Sequence, residues 1–422
     1  MTMTMLNLTR PTDAPWQQPA AYWPSLTAAT AELETPLGAL VVEALAANAF
    51  DLLDRAEGMP IRVASKSVRV RGVLDAVLSL PGYRGVLAYT LPEALWLAGG
   101  DTRYDDVVVG YPTVDRAAIA QLAADARLAS RVTLMIDDLA QLDLIDTVVA
   151  PSRRAAPIRL ALELDSSYES VLLGHVGVRR SPIHTAEAAR TLAAAIVKRP
   201  GFRLVGMMGY EAQIAGVTNK GTGRASIIRR MQRASAAELA DRRGAAVAAV
   251  RELAELEFVN GGGTGSFEST RADASVTELA AGSGLFGPHL FDGYVQFTPA
   301  PAAAFSLSVV RRPTPEVATL LGGGWIASGP TGPDRQPLPV WPEGLTTLAR
   351  EASGEVQTPV SGAAAARLSV GDRVWLRHTK AGELSEHLNA FALVSLGGGS
   401  GDRGAEVVGE LPTYRGEGKA FL

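Results

Sequence analysis

Between residues 61 and 279 the chain repeats one pattern: a short β-branched or aliphatic run, then a longer Ala- and Leu-rich stretch. The runs fall at 61–64, 85–89, 106–109, 132–136, 159–164, 203–206, 257–260 and 276–279. After the first, Val70, Val73, Leu74, Val77 and Leu78 follow the i, i+3, i+4 spacing of an amphipathic helix. Such alternation is the mark of βα units and a parallel sheet. Eight strands in about 220 residues with helices between them are the bookkeeping of a (β/α)8 TIM-type barrel, with a doubly wound open sheet as the alternative. The whole chain, at 422 residues, exceeds what one core usually supports.

The remainder differs in texture. Residues 1–34 are rich in Pro, Thr and Ala, carry Trp16 and Trp23, and read as an N-terminal arm wrapped on a surface. From about residue 292 strand-like runs at 305–311, 370–377 and 391–395 are joined by Gly/Pro-rich turns without long helices, which predicts a C-terminal all-β domain. The expected division is therefore an arm, a barrel over 46–291 and a β domain over 292–422. The proline-laden loop 328–344 is too irregular for a core and is placed over a site.

Composition narrows the chemistry. The net charge of −4 gives no reason to expect nucleic acid or an anionic membrane as partner. There is no cysteine, which excludes disulfides, thiolate nucleophiles and Cys-ligated metals. No signal-peptide pattern opens the chain and no apolar run approaches the ~20 residues of a membrane span, so a cytoplasmic location is expected.

In a barrel the reacting groups sit at the C-terminal ends of the strands. The first ends "RVASKSVR" and puts Lys66 there, bordered by small residues. Desolvation at such a place lowers an amine's pKa and suits it to Schiff-base chemistry, although an isolated lysine is more often a solvated charge. The seventh runs into "NGGGTGS" (260–266), where glycines admit a phosphate to the backbone and Thr264 and Ser266 add hydroxyls. The eighth leads into "GSGLFG" (282–287); Pro288 follows at once, so a second phosphate-facing loop is expected rather than a dinucleotide fingerprint. The fifth ends at Asp165 and continues to His175 in "GHVGVRR"; the sixth ends with Tyr210, Glu211 and Gln213 in "GYEAQ". His175 or Tyr210 could hydrogen-bond a cofactor ring, or either could be an ordinary satisfied polar group.

The stretches "TPLGALVV", "IRVASKSVR", "VLAYTLPEAL", "DDVVVGYPT", "GHVGVRRSP", "MGYEAQIAG", "GGGTGS", "ASGPTGPDR" and "PTYRGEGKAFL" occur in this order from about residue 35 to the end. Together they resemble the fold-type III pyridoxal-phosphate enzymes, with their alanine racemase-like barrel. Within these they are most similar to the D-threonine aldolase and D-serine dehydratase group, especially its bacterial amino-acid deaminase/aldolase members. The resemblance implies that Lys66 holds pyridoxal 5'-phosphate and acts as acid and base on its side of the ring. It further implies that Gly262, Gly263, Thr264, Gly282 and Ser283 hold the phosphate, and that Asp165, His175 and Tyr210 surround the ring. His175 stands where the family usually shows arginine. The segment 35–45 would add a strand to the β domain, and a homodimer acting on a small amino acid is expected.

The same resemblance implies aldol cleavage of a β-hydroxy-α-amino acid to glycine and an aldehyde, or its dehydration to a keto acid and ammonia. In the family a metal near the β-oxygen assists, held by the β domain. The relevant stretch is "WLRHTKAGELSEH" (375–387), with two of the five histidines. Read as a strand, it alternates Val374, Leu376, His378 and Lys380 on one face against Arg373, Trp375, Arg377 and Thr379 on the other. His378 aligns with the family's metal histidine, and Lys380 stands where the second ligand is Cys or Asp. A protonated lysine cannot ligate a cation. The expectation is therefore no metal, with the Lys380 ammonium steadying the substrate's β-oxygen and His378 transferring a proton. A shifted metal site using His378 with Glu383, Glu386 or His387, and a solvated charged hairpin, are the alternatives. A racemase and a non-catalytic cofactor carrier remain the further readings of the whole chain.

Overall fold

The computed structural model describes residues 6–100, 104–330, 332–397 and 404–422. It divides into two compact units, one formed by residues 53–66, 81–281 and 421–422, the other by 1–52, 67–80 and 282–420. Among the described residues no helix is long and apolar enough to cross a membrane.

The first unit holds a closed barrel of eight parallel strands in chain order: Ile61–Ala64, Tyr83–Ala88, Val107–Val109, Val132–Ile136, Ile158–Glu163, Phe202–Gly209, Phe258–Gly261 and Glu278–Ala281. The last returns to the first, with Leu279 opposite Ile61. Each run expected from the sequence overlaps one of these strands; the first and fourth coincide, and the others differ at their ends by one to three residues. These strands read as continuous apolar runs because both faces are covered, the usual condition of a parallel sheet. Val108, Met135, Ala161, Val205, Met208 and Phe258 form a buried cluster. On the first strand, fully buried Arg62 is neutralised by Glu278 at 2.7 Å and Asp106 at 2.9 Å, without which its charge would be untenable there. Helices start on side-chain caps at Thr90, Asp115, Asp138 and Thr185. One departure from a plain βα repeat matters for the site: a hairpin, Tyr168–Ser170 with Gly174–Val176, is inserted after the fifth strand.

The second unit is a nine-stranded, mainly antiparallel sheet. Its centre is the long strand Ala303–Thr314, paired on one side with Leu37–Val41 and on others with Val317–Leu321 and Arg373–Arg377. Leu37–Val41 also runs parallel to Ala390–Ser395, so the segment expected at 35–45 lies inside this sheet. The N-terminal arm contains a helix, Pro19–Ala29, that buries Tyr22, Trp23 and Leu26. It is anchored by Tyr22 donating to the Pro301 carbonyl at 2.9 Å and Trp375 Nε1 donating to Thr27 Oγ1 at 2.9 Å. The helix Arg71–Leu78 and residues 282–291 belong to this unit, although their sequence position suggested the barrel.

Candidate active site

Ser65–Ser67 make a single 3-10 turn directly after the first barrel strand, so Lys66 stands at the C-terminal end of the barrel. Its Nζ donates to the phenol of Tyr111 at 3.0 Å and lies 5.6 Å from that ring's centre. Tyr111 itself comes two residues after the strand Val107–Val109. The guanidinium of Arg180 lies 5.6 Å from the Tyr111 ring and 5.0 Å from the Tyr210 ring. Tyr210 follows the sixth strand at once, and Glu163 is the last residue of the fifth. Four strand ends thus place an amine, two phenols and a carboxyl together, with a guanidinium from the chain after the inserted hairpin.

Their ionisation differs in a way that geometry explains. Burial pushes the Tyr111 phenol up, but the Lys66 charge and hydrogen bond, with Arg180, outweigh it and the net shift is downward. Tyr210 has Arg180 but no lysine, so burial wins and its phenol rises to about 12. Glu163, 4 % exposed, is raised to about 7 by burial, with Asp137 and Asp165 adding to the rise and Arg180 opposing it. Sequence reasoning missed Tyr111, Glu163 and Arg180. Tyr111 had a signal, since the "VVGYPT" stretch ends a strand, but strand ends show which residues lie near the mouth and not which side chain turns back to the lysine.

The glycine loop after the seventh strand sits under Tyr210. A Cβ built on Gly263 would stand 3.1 Å from Tyr210 Cε2 and 3.1 Å from Ala215 Cβ, and Gly262 has φ +86°, which favours glycine. The amides expected to face a phosphate are engaged within the loop. Gly262 N–H donates to Glu211 Oε2 at 3.1 Å and Gly263 N–H to Ser266 Oγ at 3.1 Å. Glu211 also accepts from the Thr270 hydroxyl. The buried Glu211 carboxylate therefore shapes the loop rather than pointing into the mouth. Thr264 is buried, and its carbonyl accepts from Arg55 at 2.7 Å. Gly282 and Ser283 open a one-turn helix, Ser283–Phe286, in the other unit.

Two expected ring contacts take other forms. Asp165 accepts from the Ser167 amide at 3.0 Å, the Ser167 hydroxyl at 2.6 Å and pairs with His184 Nδ1 at 3.0 Å. Burial pushes its carboxyl up, but these three partners outweigh it and the net shift is downward. His175 lies in the inserted hairpin with Nδ1 2.6 Å from Glu169 Oε1. The cation lodged against the tyrosines is Arg180, five residues farther on, while His175 pairs with Glu169 inside the hairpin.

In the other unit the strand expected to run to Lys380 stops at Arg377. The carbonyls of His378 and Thr379 accept from the amides of His289 and Leu290, both at 3.1 Å. The Glu383 carboxylate gathers the amides of Thr379 at 3.1 Å, Lys380 at 2.6 Å and Ala381 at 2.8 Å, and so turns the chain into the helix Glu383–His387. Both faces of the strand are covered, since Trp375 is as buried as Leu376. Its polar-out alternation therefore fails. His378 is fully buried, with the Ala303 backbone beside its ring. Burial, with Arg377 and His289, outweighs Glu383 and the Ala303 backbone and brings it down to about 4, so the imidazole is neutral near pH 7. Glu383 is spent on the turn, Glu386 pairs with Arg69, and His387 stacks on Trp325 with ring centres 5.1 Å apart. Among the described residues no three His, Asp or Glu side chains cluster as a metal site would need.

No protein-family model matches the chain. In sequence it is similar to a 3-hydroxy-D-aspartate aldolase of Paracoccus denitrificans strain Pd 1222, 26% identical over 265 residues. It is also similar to a D-threonine aldolase of an Arthrobacter species, 26% identical over 261 residues. Each match covers 60% of this chain and 61% of the relative, so the likeness spans about three fifths of either protein. Among solved structures, D-threonine aldolase from Filomicrobium marinum superposes with a TM-score of 0.74 at 21% identity, covering 92% of this chain and 97% of that one. The fold is the alanine racemase-like barrel. D-threo-3-hydroxyaspartate dehydratase from Delftia sp. HT23 shares it with a TM-score of 0.65 at 18% identity, covering 89% of this chain and 98% of that one.

Proposed function

We propose that the chain is a pyridoxal-phosphate-dependent lyase that cleaves D-configured β-hydroxy-α-amino acids by an aldol route, giving glycine and an aldehyde. The observation that carries this reading is Lys66 at the barrel's C-terminal end, 3.0 Å from Tyr111, with Arg180 beside two tyrosines. The names of the aldolase relatives support the same reading. The donor set suits a phosphorylated pyridine aldehyde: an amine that would hold it, a guanidinium that would offset its negative charge, and the Gly263 cradle that a Cβ would fill against Tyr210. When bound, the cofactor supplies an electron sink conjugated to the substrate's Cα.

The chain's own residues do the rest. Lys66 Nζ would hold the cofactor, and its amine would move protons on its side of the site. Arg180 supplies a fixed positive charge between Tyr111 and Tyr210. Glu211 holds the Gly262 amide and the Thr270 hydroxyl, which keeps the loop from Gly262 to Thr264 in one shape for the phosphate. A cytoplasmic location and a homodimer belong to the same proposal.

The test is a product analysis. Purified holo-protein is incubated with D- and L-β-hydroxy amino acids, with and without EDTA. Glycine plus aldehyde from the D series supports the reading. Keto acid plus ammonia would reassign the chain to dehydration, and the mirror-image amino acid to racemisation. No turnover by protein that carries the cofactor would leave a carrier. A stoichiometric divalent ion with EDTA-sensitive activity would contradict a metal-free role for Lys380.

A further inference from the structure

The lyase reading uses Lys66 as the anchor and gives Tyr111, its hydrogen-bond partner, no step of its own. A lysine meant only to carry a cofactor needs space and a low dielectric, and a neighbouring aliphatic side chain would serve. Here the amine instead meets a phenol at 3.0 Å, and that phenol's ring lies against the guanidinium of Arg180 at 5.6 Å. Tyr111 is thus placed between two cations. A phenolate so placed is stabilised by both charges, and the direction of its pKa agrees, downward in spite of burial. Tyr210 works as an internal control: it shares the guanidinium, lacks the amine, and is raised.

We propose that Tyr111 is the proton-exchange partner of Lys66. One proton moves between phenol Oη and amine Nζ along their hydrogen bond: the O–H bond breaks as the N–H bond forms, leaving phenolate and ammonium, and the reverse restores the neutral pair. Charge is conserved in both directions and no further reagent is needed. Arg180 steadies the phenolate form. The pair sets when Lys66 is a neutral amine able to attack or to take a proton, and when it is an ammonium able to give one. This inference rests on the lyase reading for its consequence in turnover, but the exchange itself can be observed without substrate.

Two measurements test it. Ultraviolet titration of the cofactor-free protein follows tyrosinate formation over the chain's nine tyrosines. One is expected to ionise below the rest; Tyr111→Phe removes that step, and Lys66→Met moves it to higher pH. If the early step survives in Tyr111→Phe, the pair is not what sets it and the proposal is overturned. In the holo-protein, Tyr111→Phe lowers kcat about 100-fold, the scale of one acid–base group, with KM changed less than about threefold. The limb of the pH–rate profile that reports the pair is lost. Site-specific replacement of Tyr111 by 3,5-difluorotyrosine keeps the hydroxyl and the packing while acidifying the phenol, so that limb should move to lower pH. A limb unmoved by fluorination overturns the proposal even if Tyr111→Phe is inactive through misfolding. An early tyrosinate step without turnover of any substrate upholds the pair while refuting the lyase reading. Turnover with a wild-type profile in Tyr111→Phe does the opposite.

Discussion

The end of the barrel at Lys66, half-buried, and the turn at His378, fully buried, both hold titratable side chains, and they handle charge in opposite ways. At Lys66 the ionisable groups find one another: amine to phenol, guanidinium against two rings, carboxyl within reach of their field. At His378 the charged neighbours are committed elsewhere, Glu383 to three amides and Arg377 to Asp292, and the imidazole is left neutral. The lesson is that density of His and Glu in a sequence is a poor guide to reactivity. What counts is whether the fold leaves those groups facing one another or uses them to terminate a strand.

The contrast predicts opposite pH dependences, and these are the largest effects on stability. Folded His378 sits at about 4 against an ordinary 6.5, so between those values the unfolded chain binds a proton the folded chain refuses. Stability should fall as pH drops through that window, by about 3 kcal/mol. Folded Glu163 sits at about 7 against an ordinary 4.5, so there the folded chain holds the extra proton and stability should fall, by about 3 kcal/mol, as pH rises through the window. Denaturant melts from pH 4 to 8 on His378→Leu and Glu163→Gln check both signs. The first variant should lose the acid limb and the second the alkaline one; loss of the same limb by both would break the comparison.

Glu383→Ala comes next. It strands the amides of Thr379, Lys380 and Ala381, and a cost of about 2 kcal/mol is expected in the same melts. If instead the variant were neutral, the turn would be held by something other than that carboxylate. The smallest effect is expected at His175→Gln, which removes an outlying pair with Glu169. Stability should change by less than about 1 kcal/mol and the visible spectrum of the holo-protein should be unaltered. A shifted spectrum would place His175 against the cofactor ring, the role proposed here for Arg180.

The fold was largely legible because parallel barrel strands are covered on both faces, and continuous apolar runs such as "VVV" and "VTLMI" have few other uses. Lys66 was legible too, since a strand end names its residue directly. The hairpin Tyr168–Ser170 with Gly174–Val176 was not, and its insertion is why Arg180 went unnoticed. The strand Arg373–Arg377 was overextended to Lys380 for a related reason. Alternation describes a sheet with one wet face, whereas Pro19–Ala29 covers the side on which Trp375 lies, and Glu383 ends the strand through contacts that no local pattern announces. Glu211 looked like a mouth residue by position, but the hydrogen bonds that turn it toward the Gly262 amide are tertiary.

The most direct test of the central claim is chemical. Borohydride reduction of the holo-protein, followed by proteolysis and mass mapping, should leave the reduced cofactor on the peptide containing Lys66 and nowhere else. Lys66→Ala should then take up no reducible label and turn over none of the D-β-hydroxy amino acids. Label on another lysine, Lys380 included, or a Lys66→Ala protein that still forms a reducible adduct with undiminished turnover, would contradict the account.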